Sequence, residues 1–367
     1  MVAVTSLDVA RLAQVSQSAV SRAFTPGASV SDVTRAKVDD AARKLGYRPN
    51  AIARSLITRR SRMIGVVMSY LENQFYPVVL ERISQRLQRD GYHVLLFIAD
   101  SRDADAVLAE ILQYQIDGLV MASTSLSNAL ALRCSDAGIP VGLFNRTIRD
   151  SQNTSSVTTD NYQGGHLAAQ YLVQHGHERI AFIAGLEDTS TNQDRERGFR
   201  DGLAELGRRC FARAVGNYDF EDAKAAARQI FSGPAPERPD AVFVANDHMA
   251  IAVMDTLRME LGLRIPLDVS VVGFDNVKQS AWGSYQLTSI EQDAQAMIEA
   301  TVKLLMDQMD GVMQSSAGPV RPGRHGSRAR GRGWSRCPPA PRCRQCARAR
   351  AAPGTAPPGG RPGSCRW

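Results

Sequence analysis

The sequence predicts an all-α headpiece of about fifty residues followed by an α/β core of two parallel-sheet subdomains. Three observations predict it. The first fifty residues carry three short helical patterns, each preceded by a hydroxyl residue able to cap it: Thr5, Ser16 and Ser31. From Met63 onward, short apolar runs alternate with amphipathic stretches, as parallel strands covered by helices on both faces require. The chain has 367 residues, too many for one ordinary core.

In the headpiece, Thr5 with Asp8 three residues on reads as a capping box, and Val9, Ala10 and Ala13 follow at helical spacing. A break at Gln14 and Val15 precedes Ser16, which caps a second helix. There Val20 and Phe24 share one face, while Gln17, Ser18, Ala19 and Arg22 point elsewhere. Ser31 opens a third helix that runs to Leu45 and stops at Gly46. Two short helices joined by a tight turn and backed by a third are the plan of a helix-turn-helix, whose second helix lies in the DNA major groove. A three-helix bundle binding something else has the same periodicity. On the first reading, Gln17, Ser18 and Arg22 face base edges, Gln suiting adenine and Arg suiting guanine.

Charge agrees with a phosphate-binding headpiece. Residues 1–60 hold ten Lys or Arg against Asp8, Asp32, Asp39 and Asp40. The net charge of +7 misleads, because residues 319–367 contain twelve Arg and no acid. Without those twelve, 32 of the 44 Lys and Arg face 37 Asp and Glu, a balance of −5. No run approaches the roughly 20 apolar residues of a membrane span, and MVAVTSLDVARLAQV lacks the apolar core of a signal peptide. Only Cys134 and Cys210 of six Cys lie outside the tail, which points to a reducing, cytoplasmic setting.

In the core, MIGVVMS, HVLLFIA, DGLVMAS and IPVGLFN read as strands of one subdomain, and RIAFIAG, DAVFVAND and VSVVGFD as strands of the other. Helices are expected to start near Asn161, Asp194, Glu221 and His248. Ligands of open α/β sheets bind beyond the carboxyl ends of the strands. The polar and aromatic residues there are Asn73, Phe75, Tyr76, Asn145, Arg146, Asp160, Asn246, Asp247 and Asp275, with Arg197 at the opening of a helix. Carboxylates, amides, an arginine and aromatics suit a polyhydroxylated ligand such as a sugar, although each polar residue alone could be a helix cap or turn former. The six His have no metal spacing, and neither a G-x-S-x-G elbow nor a P-loop occurs, so no catalytic site, cofactor or metal is expected.

VTSLDVARLAQVSQSAVSRAF and VSDVTRAKVDDAARKLGYRPNAIARSL together resemble the DNA-binding headpiece of the LacI/GalR family of bacterial transcription regulators, over residues 4–57. Gln14 stands where that family has a turn glycine, Ala19 where it often has Thr, and Thr25 where it often has Asn. The resemblance implies DNA contacts by Thr5, Ser16, Gln17, Ser18, Ser21 and Arg22. It also implies a hinge helix opened by Asn50, with Ala53 and a minor-groove wedge at Leu56. TTDNYQGG, HGHERIAFIAG, VANDHMA, SVVGFDN and TSIEQD resemble the periplasmic-binding-protein-like core of the same regulators, and the likeness extends to about Asp310. It implies effector contacts by Asp160, Arg197, Asn246 and Asp275, and by the aromatics Phe75 and Phe220.

The expected organisation is a headpiece over 1–49, a hinge and linker over 50–62, and a core over 63–316. One subdomain takes about 63–161 and 291–316, the other about 162–290. The expected protein is a homodimeric repressor of operator DNA, controlled by a sugar-like effector bound between the subdomains. A secreted solute-binding protein would need a signal peptide and no basic headpiece. Residues 317–367, rich in Arg, Pro, Gly and Cys, replace the short apolar strand P-x-x-L-V-x-R that ends such regulators. Their composition predicts disorder and fits GC-rich codons read out of frame. Cys337, Cys343 and Cys346 lack a clear fourth zinc ligand.

Overall fold

The structure is a computed structural model that describes residues 4–25, 27–48, 60–69, 71–98, 104–122, 127–147 and 155–312. The expected hinge residues Asn50, Ala53 and Leu56 lie outside the described residues, as do the tail and its Cys337, Cys343 and Cys346.

The headpiece is α1 (Ser6–Ala13), α2 (Gln17–Ala23) and α3 (Asp32–Leu45). The capping box at Thr5 is present in both directions: the Asp8 N–H donates to Thr5 Oγ1 (3.4 Å) and the Thr5 N–H donates to Asp8 Oδ2 (2.9 Å). Gln14 ends α1 in the left-handed region (φ 53°, ψ 46°), the conformation a turn glycine would supply. The Gln14 and Val15 N–H groups turn back to the carbonyls of Arg11 (3.3 Å) and Ala10 (3.1 Å), closing the helix end. Gly46 ends α3 in the same way, at φ 66°. Val9, Ala10, Ala13, Val20, Ala23, Val38, Ala41 and Ala42 form the core, with Phe24 and Tyr47 against it at 5.9 Å between rings. Ala19 corrects the helical reading: it is buried, because it lies one residue from Val20 and its small side chain fits against the bundle.

The core contains two five-stranded parallel sheets. The first has the order β2-β1-β3-β4-β5 and comprises β1 (Met63–Met68), β2 (His93–Ile98), β3 (Gly118–Ala122), β4 (Val141–Phe144) and β5 (Ser155–Val157). Its helices are α4 (Phe75–Arg89), α5 (Ala104–Gln113), α6 (Ser127–Asp136) and α11 (Ala294–Met309). The second has the order β10-β9-β8-β6-β7 and comprises β6 (Ile180–Ala184), β7 (Ala212–Val215), β8 (Ala241–Val244), β9 (Ser270–Asp275) and β10 (Thr288–Glu291). Its helices are α7 (Asn161–Gln174), α8 (Ser190–Glu205), α9 (Phe220–Phe231) and α10 (Asp247–Asp255), the last running into a π-turn, Thr256–Glu260. Two compact units divide the chain: one holds the described residues up to Thr159 and from Asp293 onward, the other Asp160–Gln292.

The seven expected strands are all present, and their central positions are buried except in β2, where Leu95 is only partly buried and Leu96 exposed. Strands β5, β7 and β10 have only three or four residues each and carry Ser, Thr or Arg. Pairing to a neighbouring strand defines them, because no period is readable over so short a run. Helix α8 starts at Ser190, four residues before the expected Asp194, after Thr189 in extended conformation. Gly165 of α7 and Gly198 of α8 let these two helices touch. A Cβ on Gly165 would stand 2.0 Å from the Arg195 carbonyl oxygen, and one on Gly198 1.9 Å from that of Tyr162. The Gly164-Gly165 pair therefore serves a helix crossing, with Gly164 facing the Phe274 ring.

Candidate DNA and ligand sites

On the headpiece, the predicted DNA-contacting residues Thr5, Ser16, Gln17, Ser18, Ser21 and Arg22 are all exposed. Ser16 caps α2 by accepting from the Ala19 N–H (3.2 Å), and its hydroxyl is 2.9 Å from that of Ser18. Gln17 Nε2 donates to Ser6 Oγ (2.9 Å), which brings the start of α1 and the start of α2 onto one polar surface. Hydrogen bonds from the hydroxyl and N–H of Thr5 hold the Asp8 carboxyl below its ordinary range. The exposed face of α2 keeps one cation, Arg22, and three small polar side chains beside it.

In the second unit, the polar residues collect beyond the carboxyl ends of β8 and β9. Asn246 follows β8 and caps α10, accepting from the Met249 N–H at 3.0 Å. That bond occupies Oδ1 and leaves Nδ2 as the group for another partner. Asp160 caps α7 through the Gln163 N–H (3.0 Å) and is exposed. Both residues are thus helix caps. Asp275 ends β9 at φ 120°, followed by Asn276 at φ 52°, so the chain turns sharply there. Its Oδ1 accepts from Gln292 Nε2 (2.6 Å).

Arg195 joins these positions. Its Nε donates to Asn161 Oδ1 (2.9 Å) and its Nη1 to the Ala245 carbonyl (2.5 Å). Its guanidinium lies 3.6 Å from the Phe274 ring centre and 3.8 Å from Asp275 Oδ1. Asn161, Ala245 and Phe274 are the chain neighbours of Asp160, Asn246 and Asp275. One side chain, 2 % exposed, thus fixes the three predicted ligand positions against each other.

Arg197, the predicted arginine, is not among them. It is exposed, pairs with Asp194 (2.9 Å) and lies over the Tyr162 ring at 5.3 Å. The reason is the helix start: with α8 opening at Ser190, residue 197 falls on the outer face and residue 195 on the inner. The inner face is legible as Thr191, Arg195, Phe199, Gly202 and Leu203, at spacings of four, four, three and one. Asn161 and Gln292, which hold Arg195 and Asp275, carry no signal of their own in the sequence.

Asp247, beside Asn246, has no exposed surface. It accepts from Ser289 Oγ (2.6 Å) and from the Val277 N–H (2.9 Å), gripping the turn after Asp275. Burial pushes its carboxyl well above the ordinary range, and the nearby Asp275 charge pushes the same way. Phe220 is half-buried at the start of α9, its ring 5.6 Å from that of His248.

Phe75 belongs to the first unit. It is buried at the start of α4, its N–H donating to Asn73 Oδ1 (3.1 Å), with Phe144 stacked at 6.4 Å and Tyr76 edge-on at 5.5 Å. Asn145 (φ 57°) and the buried Arg146, whose Nη1 donates to the Asn145 carbonyl (2.9 Å), follow β4 at the same end.

Residues 5–50 match the model of bacterial regulatory proteins of the lacI family, and residues 169–324 match a periplasmic binding protein-like domain. The HTH-type transcriptional repressor PurR of Aliivibrio fischeri (strain MJ11) is 32% identical over 307 residues, which cover 82% of this chain and 90% of that one. This chain belongs to the lacI family. Catabolite control protein A of Priestia megaterium is another relative, 31% identical and covering 84% of this chain and 93% of its own. Among solved structures, the lac repressor dimer bound to operator and the anti-inducer ONPF superposes with a TM-score of 0.77. It is 26% identical, over 87% of this chain and 97% of that one. The complex of the transcriptional regulator CelR with cellobiose is 30% identical at a TM-score of 0.65, over 87% and 96%. This lacI-family chain is accordingly a DNA-binding transcriptional regulator built like repressors, with relatives that are regulators and not enzymes. No helix among its described residues is long and apolar enough to cross a membrane.

Proposed function

We propose that this lacI-family regulator is a homodimeric repressor whose operator affinity is set by a sugar or polyol bound at the carboxyl end of the second sheet. The observation that carries this reading is the Arg195 hub. A buried guanidinium, the Asp275 carboxylate and the Gln292 amide converge there, with Asn246 next in the chain to the Ala245 carbonyl that Arg195 holds. A polyol offers each of these a matching hydroxyl, and a buried polar set rejects a ligand that leaves it unpaired. Phe220, beside His248, offers a ring for the apolar face of a sugar, and Asp160 an exposed acceptor. The likeness to a cellobiose-bound regulator supports the same class.

For DNA, Gln17, Ser18 and Arg22 read bases in the major groove, while Thr5, Ser16 and Ser21 hold phosphates. The second copy is supported by β2, an edge strand on which Leu96 (38 %) and Ile98 (55 %) remain exposed. The effector acts by binding one conformational state better than the other, which shifts the population competent for DNA.

Thermal-shift measurement of the purified protein against sugars, polyols and nucleobases tests the ligand class. The reading expects a rise in melting temperature with a sugar or polyol, lost in Arg195→Lys, which keeps the charge and removes the fork. A rise with nucleobases alone would refute the polyol class, and an unchanged rise in Arg195→Lys would refute the site.

A further inference from the structure

The second unit contains a cavity of about 170 Å³ that takes no part in the ligand set described above. Its wall includes Ser270, Val271 and Val272 at the start of β9 and Leu287 and Thr288 at the start of β10. Asp275 ends the same strand β9, five residue steps from Ser270, or about 16 Å along the strand. The cavity therefore opens at the amino end of the sheet, opposite the Arg195 hub.

We propose that this cavity is a second small-molecule site, for a single-ring aromatic carboxylate. Size sets the first limit, since an apolar cavity of roughly 150 Å³ holds one benzene. Tyr171, Tyr285, Met254, Ile265 and Leu287 supply aromatic and apolar wall. Three polar groups then select the substituent. The Ser270 hydroxyl is enclosed, on a residue only 7 % exposed, and has no hydrogen-bond partner among the described residues. A buried hydroxyl in that state is costly to the fold unless something fills it. Arg258 uses Nη1 on the Ser284 carbonyl, and the rest of its fork meets a carboxylate. His177 also lines the cavity, its buried Nδ1 3.4 Å from Asp240 and without a hydrogen-bond partner among the described residues.

The backbone beneath adds an independent sign. Arg258 lies inside the π-turn Thr256–Glu260, where the Leu261 N–H reaches the Thr256 carbonyl five residues back (3.1 Å). Such single π-turns are frequent at functional sites. Here the widening displaces Arg258 relative to Met254 one turn earlier, and both line the cavity.

Isothermal titration of the full chain with benzoate tests the site, with benzamide as the uncharged isostere. The expected result is saturable one-to-one binding of benzoate to the wild type. Binding should be at least about ten-fold weaker for benzamide, and for benzoate with Arg258→Gln, the loss typical of a hydrogen bond to a charged group. Arg195→Lys should leave benzoate binding unchanged, which separates this site from the sugar or polyol site. No saturable binding to the wild type, as when a second copy covers the opening, would overturn the proposal. So would equal affinity for benzamide, equal affinity in Arg258→Gln, or loss in Arg195→Lys. Should Arg258→Gln fail to fold, the benzamide comparison on the wild type decides alone.

Discussion

Arg195 and Arg197 differ by two residues, or about 200° around the helix, and that rotation separates a buried hub from a surface cation. The side chain of Arg195 is held by two hydrogen bonds, an aromatic ring and a carboxylate, whereas among the described residues Arg197 meets Asp194 and the Tyr162 ring. Arg197→Ala is therefore expected to leave ligand affinity within about two-fold, since exposed ion pairs contribute little. Arg195→Lys should weaken the ligand by about a hundred-fold, through the lost bidentate geometry, and titration calorimetry compares the two. Asp247 makes a pH prediction. Its raised carboxyl keeps a proton in the fold that the unfolded chain releases above 3.8, so its contribution to stability is present at low pH and declines as pH rises through the raised value. Asp247→Asn, which is neutral throughout, is expected to flatten that decline in urea unfolding measured from pH 5 to 8. An unchanged slope would show that Asp247 is ionised in the fold.

At the scale of elements, two backbone devices set the geometry. Gly165 and Gly198 let α7 and α8 touch, and the contact point is the Arg195 carbonyl itself. Gly165→Ala should cost about 1–3 kcal/mol of stability in urea unfolding, because the added carbon must push α8 away. It should also weaken ligand binding by displacing Arg195. Gln14 carries the opposite opportunity. It adopts a left-handed conformation that costs a side-chain-bearing residue roughly 1 kcal/mol, so Gln14→Gly should slow amide exchange in α1 and α2. The same elements show what a sequence can reveal. The cap residues Thr5, Ser16, Ser31 and Gly46 announced the headpiece, and continuous apolar runs announced seven strands. Strands β5, β7 and β10 stayed hidden, because hydrogen bonding to a neighbour makes them and no residue pattern does. The start of α8 stayed hidden too, since Thr189 makes no side-chain cap bond there, and that missed start carried Arg197 into the ligand set in place of Arg195.

At the scale of the molecule, a basic headpiece is joined to an acidic body, and the proposed function couples the two. If the surface of α2 sets sequence preference, as proposed, Arg22→Ala should weaken operator binding by about 1–3 kcal/mol while leaving binding to unrelated DNA nearly unchanged in gel-shift titration. Residues 319–367 supply the twelve arginines that make the net charge positive, yet the recognisable DNA-binding pattern lies wholly within residues 4–57. The central claim is that a ligand at the Arg195 hub changes the affinity of α2 for DNA. The most direct test is fluorescence anisotropy of an operator duplex, selected from a random pool by the wild-type protein and titrated with and without the sugar or polyol that stabilises it. The expected outcome is an operator Kd shifted by about ten-fold or more in the wild type, the usual size of such coupling. Arg195→Lys should bind the free operator equally well and show no shift at the same ligand concentration. A variant that binds and shifts as the wild type does would contradict the claim.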